Sequence, residues 1–171
     1  MGTFKIEGGI RLKGEITPQG AKNEALQIIS AVLLTEERMV ISNIPNIRDV
    51  MKLIELLGEM GVSVTKIDEH TYSFEAKDVN LEYLLTDDFK KKGGALRGSI
   101  MIIGPLLARY GVAYIPEPGG DKIGRRPVDT HLRGFEALGA TFEHMKDERF
   151  YKINAKNLKG AFMLLDEASV T

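Results

Sequence analysis

The sequence predicts an α/β fold in which one helix–strand–helix–hairpin unit is written twice, with apolar helices inside and sheets around them. Three observations predict it. Two runs, near residues 24–34 and 96–109, are apolar nearly all round, as in helices buried on every side. Each run is followed by a short strand and an amphipathic helix that stops on glycine. Each copy then closes on a pair of alternating strands.

The first copy opens with a helix from Glu24 to Leu34, whose Ala25, Leu26, Ile28, Ile29, Val32 and Leu33 exceed a single apolar stripe. A strand follows from Met39 to Asn43. The amphipathic helix runs from Ile47 to Met60, with Lys52, Glu55 and Glu59 on its wet face. A hairpin from Val62 to Ala76 turns at Asp68-Glu69, and Tyr72, Phe74 and Ala76 alternate with polar neighbours. The second copy repeats this order: an apolar helix from Leu96 to Arg109, a strand from Val112 to Ile115 and an amphipathic helix from Val128 to Leu138. Its hairpin, Ala140 to Ala155, turns near Asp147-Glu148. Both amphipathic helices end on a shared phrase, Leu57-Gly58 followed by Gly61-Val62, and Leu138-Gly139-Ala140, where glycine acts as a stop. Gly160 to Leu165 opens a third strand-like unit, and a third copy is expected to follow.

From Leu34 to Leu57 is 23 residues, whereas Leu107 to Leu138 is 31, so the second copy is longer by about eight. The surplus falls between Pro118 and Arg126. There Gly119, Gly120 and Gly124 permit tight bends, and Lys122, Arg125 and Arg126 supply three cations around one carboxylate, Asp121. Pro127 then suits the first turn of a helix. A cationic glycine loop feeding a helix start is a trap for phosphate or carboxylate.

At 171 residues and 43% hydrophobic, the chain is long enough for one real core. A formal net charge of −1 argues against a general nucleic-acid binder. The longest apolar stretch, Ile100 to Ala108, contains Gly104 and Pro105 and is far too short for a membrane span. No secretory signal follows Met1, which makes a cytoplasmic location the expectation. With no cysteine, disulfides, thiolate metal sites and a thiol nucleophile are excluded, and His70, His131 and His144 lack metal-ligand spacing.

Gly20-Ala21-Lys22-Asn23, Leu96-Arg97-Gly98-Ser99-Ile100 with Gly104-Pro105-Leu106, the loop Pro118 to His131, and more weakly Ser169-Val170 occur in the order found in the enolpyruvyl transferases. The chain resembles the N-terminal part of the nucleotide-sugar branch of that family over essentially all its residues. The resemblance implies an inside-out α/β barrel of three repeated units, incomplete here, in a protein of two such domains. Residues 1–20 would then pack with the second domain, absent here. Residues 21–171 would form the first domain, with full repeats at about 21–80 and 94–156 and the start of a third. The implied reaction moves the enolpyruvyl group of phosphoenolpyruvate onto the 3′-hydroxyl of UDP-N-acetylglucosamine, releasing phosphate, at the start of peptidoglycan precursor synthesis. No metal or organic cofactor is implied.

By the same resemblance Lys22, just ahead of a helix, holds phosphoenolpyruvate and Asn23 hydrogen-bonds the sugar. Arg126 touches both substrates, and Arg97 is a further active-site arginine. Pro127, Val128, Asp129 and His131, with Ser169 and Val170, hold the uridine and diphosphate. Most members carry cysteine where this chain has Asp121, so the proton-donor role passes to a carboxyl group, and fosfomycin loses its thiol target. Lys122 and Arg126 favour the ionised carboxylate, whereas a proton donor needs the neutral acid; bound phosphoenolpyruvate supplies the opposing negative charge. Glu167 stands where some members have lysine. The family's general base and another arginine fall beyond Thr171, so this chain alone is expected to be inactive.

Taken singly, these residues have plainer readings. Lys22 is also compatible with a solvated lysine, Arg97 with a structural ion pair, His131 with a helix-surface residue, and Asp121 with a partner for Lys122 or Arg125. The run Lys90-Lys91-Lys92 reads as a solvated loop. Two rival functions stay open: the related 3-phosphoshikimate enolpyruvyl transferase, and a non-catalytic module that binds a nucleotide or phosphorylated ligand.

Overall fold

The computed structural model describes residues 3–116, 128–145 and 150–164. The first copy comprises helix α1 (Lys22–Ala31), running into a 3₁₀ turn (Val32–Leu34), then β1 (Met39–Ile41), α2 (Arg48–Glu59), β2 (Ser63–Lys66) and β3 (Tyr72–Glu75). A 3₁₀ turn (Leu81–Leu85) and helix α3 (Asp87–Gly94) separate it from the second copy. That copy comprises a 3₁₀ segment (Arg97–Ile102), α4 (Ile103–Tyr110), β4 (Val112–Pro116), α5 (Asp129–Ala137), β5 (Thr141–Met145) and β6 (Phe150–Asn154). Each copy forms one antiparallel three-stranded sheet, ordered β1-β3-β2 and β4-β6-β5. The hairpin turn at Asp68-Glu69 is present, tied by Ile67 N–H to the Thr71 carbonyl and His70 N–H to Asp68 Oδ1. Its counterpart at Asp147-Glu148 lies outside the described residues.

Pairing register equates the two copies residue by residue. Ile41 pairs with Tyr72 and Ile115 with Tyr151; Val64 pairs with Phe74 and Phe142 with Ile153. Both amphipathic helices end in the same hydrogen-bonded cap. Val62 N–H donates to the Leu57 carbonyl and Gly61 N–H to Gly58; Ala140 N–H donates to Phe135 and Gly139 N–H to Glu136. The left-handed glycines of these caps, Gly61 (φ 96°) and Gly139 (φ 99°), are therefore counterparts. This corrects the length comparison. The counterpart of Leu138 is Met60, not Leu57, and between Ile41 and Gly61 lie 20 steps against 24 between Ile115 and Gly139. The true surplus is four residues, still between the strand and the amphipathic helix.

Three other expectations change. α1 is not buried all round: Ala25, Leu26, Ile29 and Ser30 face the core, while Ile28 is 42% exposed. The second apolar helix is split, a 3₁₀ segment giving way to α4 at Ile103. That restart puts Pro105 in the first turn, where its missing N–H has no intrahelical role. Lys90-Lys91-Lys92 is helix rather than loop. Thr86 Oγ caps it by accepting from Phe89 N–H at 3.2 Å, Asp87 and Asp88 occupy the first turn, and Lys91 and Lys92 occupy the last. Phe89 anchors the helix in the core.

The apolar helical segments of the two copies pack on each other, α1 against 97–102 and α4 against 32–34. A Cβ at Gly98 would meet the Leu26 side chain at 3.0 Å, so glycine allows that approach. The two sheets are not joined into a closed barrel among the described residues. Phe4, Ile6, Ile10, Leu12 and Ile16 are all highly exposed in the segment before α1. No described helix is long and apolar enough to cross a membrane.

Candidate functional site

Four helical starts converge on one cleft of about 760 Å³. α1 opens with Lys22 and Asn23, α2 with Arg48 and Asp49, the 3₁₀ segment with Arg97 and Gly98, and His131 lies in the first turn of α5; all seven line the cleft. Gly20 sets the approach to α1. A Cβ there would lie 2.0 Å from the carbonyl oxygen of Asn43, which itself sits in the left-handed region at φ 57°.

None of these four starts has a side-chain cap. Ala21, Ile47, Leu96 and Val128 precede them, and no side chain of theirs accepts a helix N–H. The first-turn N–H groups of a helix have no intrahelical acceptor and carry the positive end of the helix dipole. In the segment between the copies, both helical starts are capped. Asn80 Oδ1 accepts from Glu82 N–H (3.0 Å) and Tyr83 N–H (3.3 Å), and Thr86 caps α3.

The side chains add to this field. Among the described residues, Lys22, Arg48, Lys52 and Arg97 line the cleft against one carboxylate, Asp49. Lys22 Nζ stands 3.1 Å from Asp49 Oδ2, with both side chains 43% exposed. An ion pair so open to water is worth about 0–1 kcal/mol, weak enough for an incoming anion to displace. The arrangement is chemically suited to a small, multiply charged anion.

Of the residues singled out from sequence, Lys22, Asn23, Arg97 and His131 meet in the cleft. Lys22 is the first residue of α1, not ahead of it, so the dipole's help goes to a bound anion. Val128 is half-buried against the core and Asp129 is the exposed first residue of α5. Asp121, Arg126, Pro127, Ser169 and Val170 lie outside the described residues. Arg48, Asp49 and Lys52 were missed as cleft residues. In the sequence Lys52 reads only as part of a wet helix face, and the signal for the group is the charged pair Arg48-Asp49 at a helix start with no capping residue before it.

A second charged cluster ties the segment between the copies to α2. The Tyr83 hydroxyl, with one proton to donate, lies within hydrogen-bond reach of Glu59 Oε2 (2.7 Å) and Asp88 Oδ2 (2.6 Å), and Lys92 Nζ donates to Glu59 and lies 3.0 Å from Asp88 Oδ2. Burial, then the hydrogen bonds to Asp88 and Glu59, hold the Tyr83 phenol well above its ordinary value.

The fold and cleft thus define an α/β protein built on a duplicated unit, with a cation-lined cleft suited to an anion. Residues 6–171 match the family described as EPSP synthase (3-phosphoshikimate 1-carboxyvinyltransferase), and the chain belongs to that family. Over its whole length it is 57% identical to UDP-N-acetylglucosamine 1-carboxyvinyltransferase of Bacteroides fragilis and 58% identical to that of Bacteroides thetaiotaomicron. It spans 39% of the length of each. Among solved structures, it is similar to the enolpyruvyl transferase NikO from Streptomyces tendae, with a TM-score of 0.68 and 22% identity. That match covers 88% of this chain and 32% of the other. It is also similar to EPSP synthase from Acinetobacter baumannii, with a TM-score of 0.55 and 16% identity, covering 92% of this chain and 35% of the other. These two likenesses concern the fold.

Proposed function

We propose that this chain is the N-terminal portion of an enzyme that transfers the enolpyruvyl group of phosphoenolpyruvate to the 3′-hydroxyl of UDP-N-acetylglucosamine, releasing phosphate, in cytoplasmic peptidoglycan precursor synthesis. The observation that carries the reading is the convergence of Lys22, Asn23 and Arg97 on a cleft ringed by uncapped helical starts. Identity of 57% to transferases of that name favours the nucleotide sugar over shikimate 3-phosphate as acceptor.

In this reading residues 21–171 belong to the first of two inside-out α/β barrel domains, and residues 1–20, with their exposed apolar side chains, pack with the second. Lys22 and Arg97 hold the phosphate and carboxylate of phosphoenolpyruvate, and the α1 N–H groups add their dipole. Asn23 hydrogen-bonds the sugar. Arg126 belongs with them: it stands 13 residues before Gly139, as the cleft-lining Arg48 stands 13 before Gly61. Asp121 protonates the methylene carbon while a base from the rest of the polypeptide takes the sugar hydroxyl proton. Pro127, Val128, Asp129, His131, Ser169 and Val170 hold the uridine diphosphate.

The test is phosphate release by the longer polypeptide given phosphoenolpyruvate with UDP-N-acetylglucosamine, and with shikimate 3-phosphate in competition. Turnover with the UDP-sugar, and none from the 171-residue chain alone, is the expected result; preference for shikimate 3-phosphate would overturn the acceptor assignment. Asp121→Cys in the longer polypeptide gains sensitivity to fosfomycin. An active variant that stays fully resistant would remove Asp121 from the substrate's side.

A further inference from the structure

Asp49 is the one carboxylate lining the cleft among the described residues, and Lys22 Nζ donates to its Oδ2 at 3.1 Å. The ammonium assigned to phosphoenolpyruvate therefore already has a counter-ion. An anion that takes Lys22 leaves Asp49 behind, close to the anion's own charge. A carboxylate stranded beside a second negative charge is unfavourable unless another cation reaches it.

Lys52 is placed to do so. It stands three residues after Asp49 on α2, lines the same cleft, is half-buried and has no ion-pair partner among the described residues. Side chains three apart on a helix are neighbours on one face, and an acid N-terminal to a base is the order that suits the helix dipole. Arg48 also lines the cleft, but it is adjacent to Asp49 in sequence, and adjacent helical residues do not face each other. The other carboxylate that spacing brings near Lys52, Glu55, lies 4.0 Å from Lys92 Nζ in the cluster with α3. The helix start does not itself require the carboxylate. Asp49 stands 12 residues before the left-handed Gly61, and the residue 12 before its counterpart Gly139 is Pro127. The counter-ion thus belongs to the unit that carries Lys22.

We propose that Asp49 is a positioning residue that exchanges cations: it holds Lys22 before an anion enters, turns to Lys52 when the anion takes Lys22, and recovers Lys22 as phosphate leaves. The proposal rests on the reading of Lys22 as a ligand of the anion. Asp49 stays paired in both states, so entry and release of the anion each trade one ion pair for another. The exchange limits how tightly the cleft holds phosphate, and so favours release of the product.

A double-mutant comparison in the longer polypeptide, read by calorimetric titration with inorganic phosphate, tests this. Asp49→Asn frees Lys22 and should tighten phosphate binding about two- to fivefold, the range expected for releasing a water-exposed ion pair. Lys52→Gln should weaken binding about two- to threefold when Asp49 is present, because Asp49 then keeps Lys22. Beside Asp49→Asn the same change should have an effect under about 1.3-fold, since no carboxylate is left to receive. An equal loss from Lys52→Gln in both backgrounds means that Lys52 acts on the anion directly, and overturns the exchange. So does an Asp49→Asn variant that binds phosphate no more tightly than wild type. Steady-state kinetics add a readout that a merely structural role would not give: in Asp49→Asn, KM for phosphoenolpyruvate and the inhibition constant of phosphate should fall by the same factor. A rise in both overturns the proposal. The titrations need no turnover. Their failure with transfer intact leaves the proposed reaction standing, and their success without transfer overturns the reaction but not the exchange.

Discussion

The helix starts that face the cleft and the helix that joins the two copies were built by opposite rules. α1, α2, the 97–102 segment and α5 begin without side-chain caps, and the first three bring cations to the opening. α3 begins with a threonine cap and two aspartates, and ends in lysines. A cap is worth about 1 kcal/mol, so leaving four starts open forgoes stability of that order at each one. What those starts share is a first turn that no capping side chain occupies, an arrangement suited to an anion. In the proposed reading, the contrast separates a region arranged to bind from one arranged to hold.

The largest expected effect tests the binding side. In the longer polypeptide, Lys22→Ala and Arg97→Ala should each lower kcat/KM about 10²–10³-fold, as expected for removing a cation that stabilises charge in the transition state. Steady-state assay of both variants checks this, and a change under threefold for either would take that residue out of the binding set. Next is Gly20→Ala. Its Cβ cannot share space with the Asn43 carbonyl, so the loop before α1 must move, and a loss of about 2–4 kcal/mol is expected in denaturant unfolding of the 171-residue chain.

On the holding side, Tyr83→Phe removes the one donor shared by Glu59 and Asp88 and should cost about 1–2 kcal/mol near neutral pH. The sign with pH follows from a phenol held above its ordinary value in the folded chain. Its contribution is complete below the unfolded value of about 10, and is lost as pH rises toward the folded one. The stability gap between wild type and Tyr83→Phe should therefore shrink above about pH 10 in denaturant titrations.

The smallest effects form a matched pair. Thr86→Ala should cost about 1 kcal/mol and leave inorganic phosphate binding unchanged. Ala21→Asp should stabilise α1 by about 0.5–1 kcal/mol yet weaken phosphate binding a few-fold, because the new carboxylate occupies the donors that the anion needs. Calorimetric phosphate titration with thermal melts reads both. If Ala21→Asp stabilised the chain without weakening phosphate, the open start of α1 would have no part in binding.

Much of the fold was legible because its periodicity is strong. The alternation Tyr72-Phe74-Ala76 and Tyr151-Ile153-Ala155 fixed the hairpins, and glycine marked both amphipathic helix ends. α3 was also written in the sequence, as Thr86-Asp87-Asp88 before the lysines, yet three adjacent lysines and two glycines suggested a loop. Helix length was less legible. Nothing in Leu96 to Arg109 except Pro105 shows where 3₁₀ becomes α. Of the cleft, the motifs around Lys22, Asn23 and Arg97 pointed to the site, while Arg48, Asp49 and Lys52 looked like ordinary helix surface.

By itself the sequence determined the duplicated unit, the strand alternation and the positions of the cationic motifs, since these follow from local spacing and residue chemistry. Only the tertiary structure decided that Gly61 answers to Gly139, that α1 has an exposed side, and that Arg109 crosses into the first unit to reach the Leu33 and Ala76 carbonyls. Those facts depend on which hydrogen bonds close between distant segments. Pairing register and helix-end geometry set that, and neither is encoded within any single window of the chain.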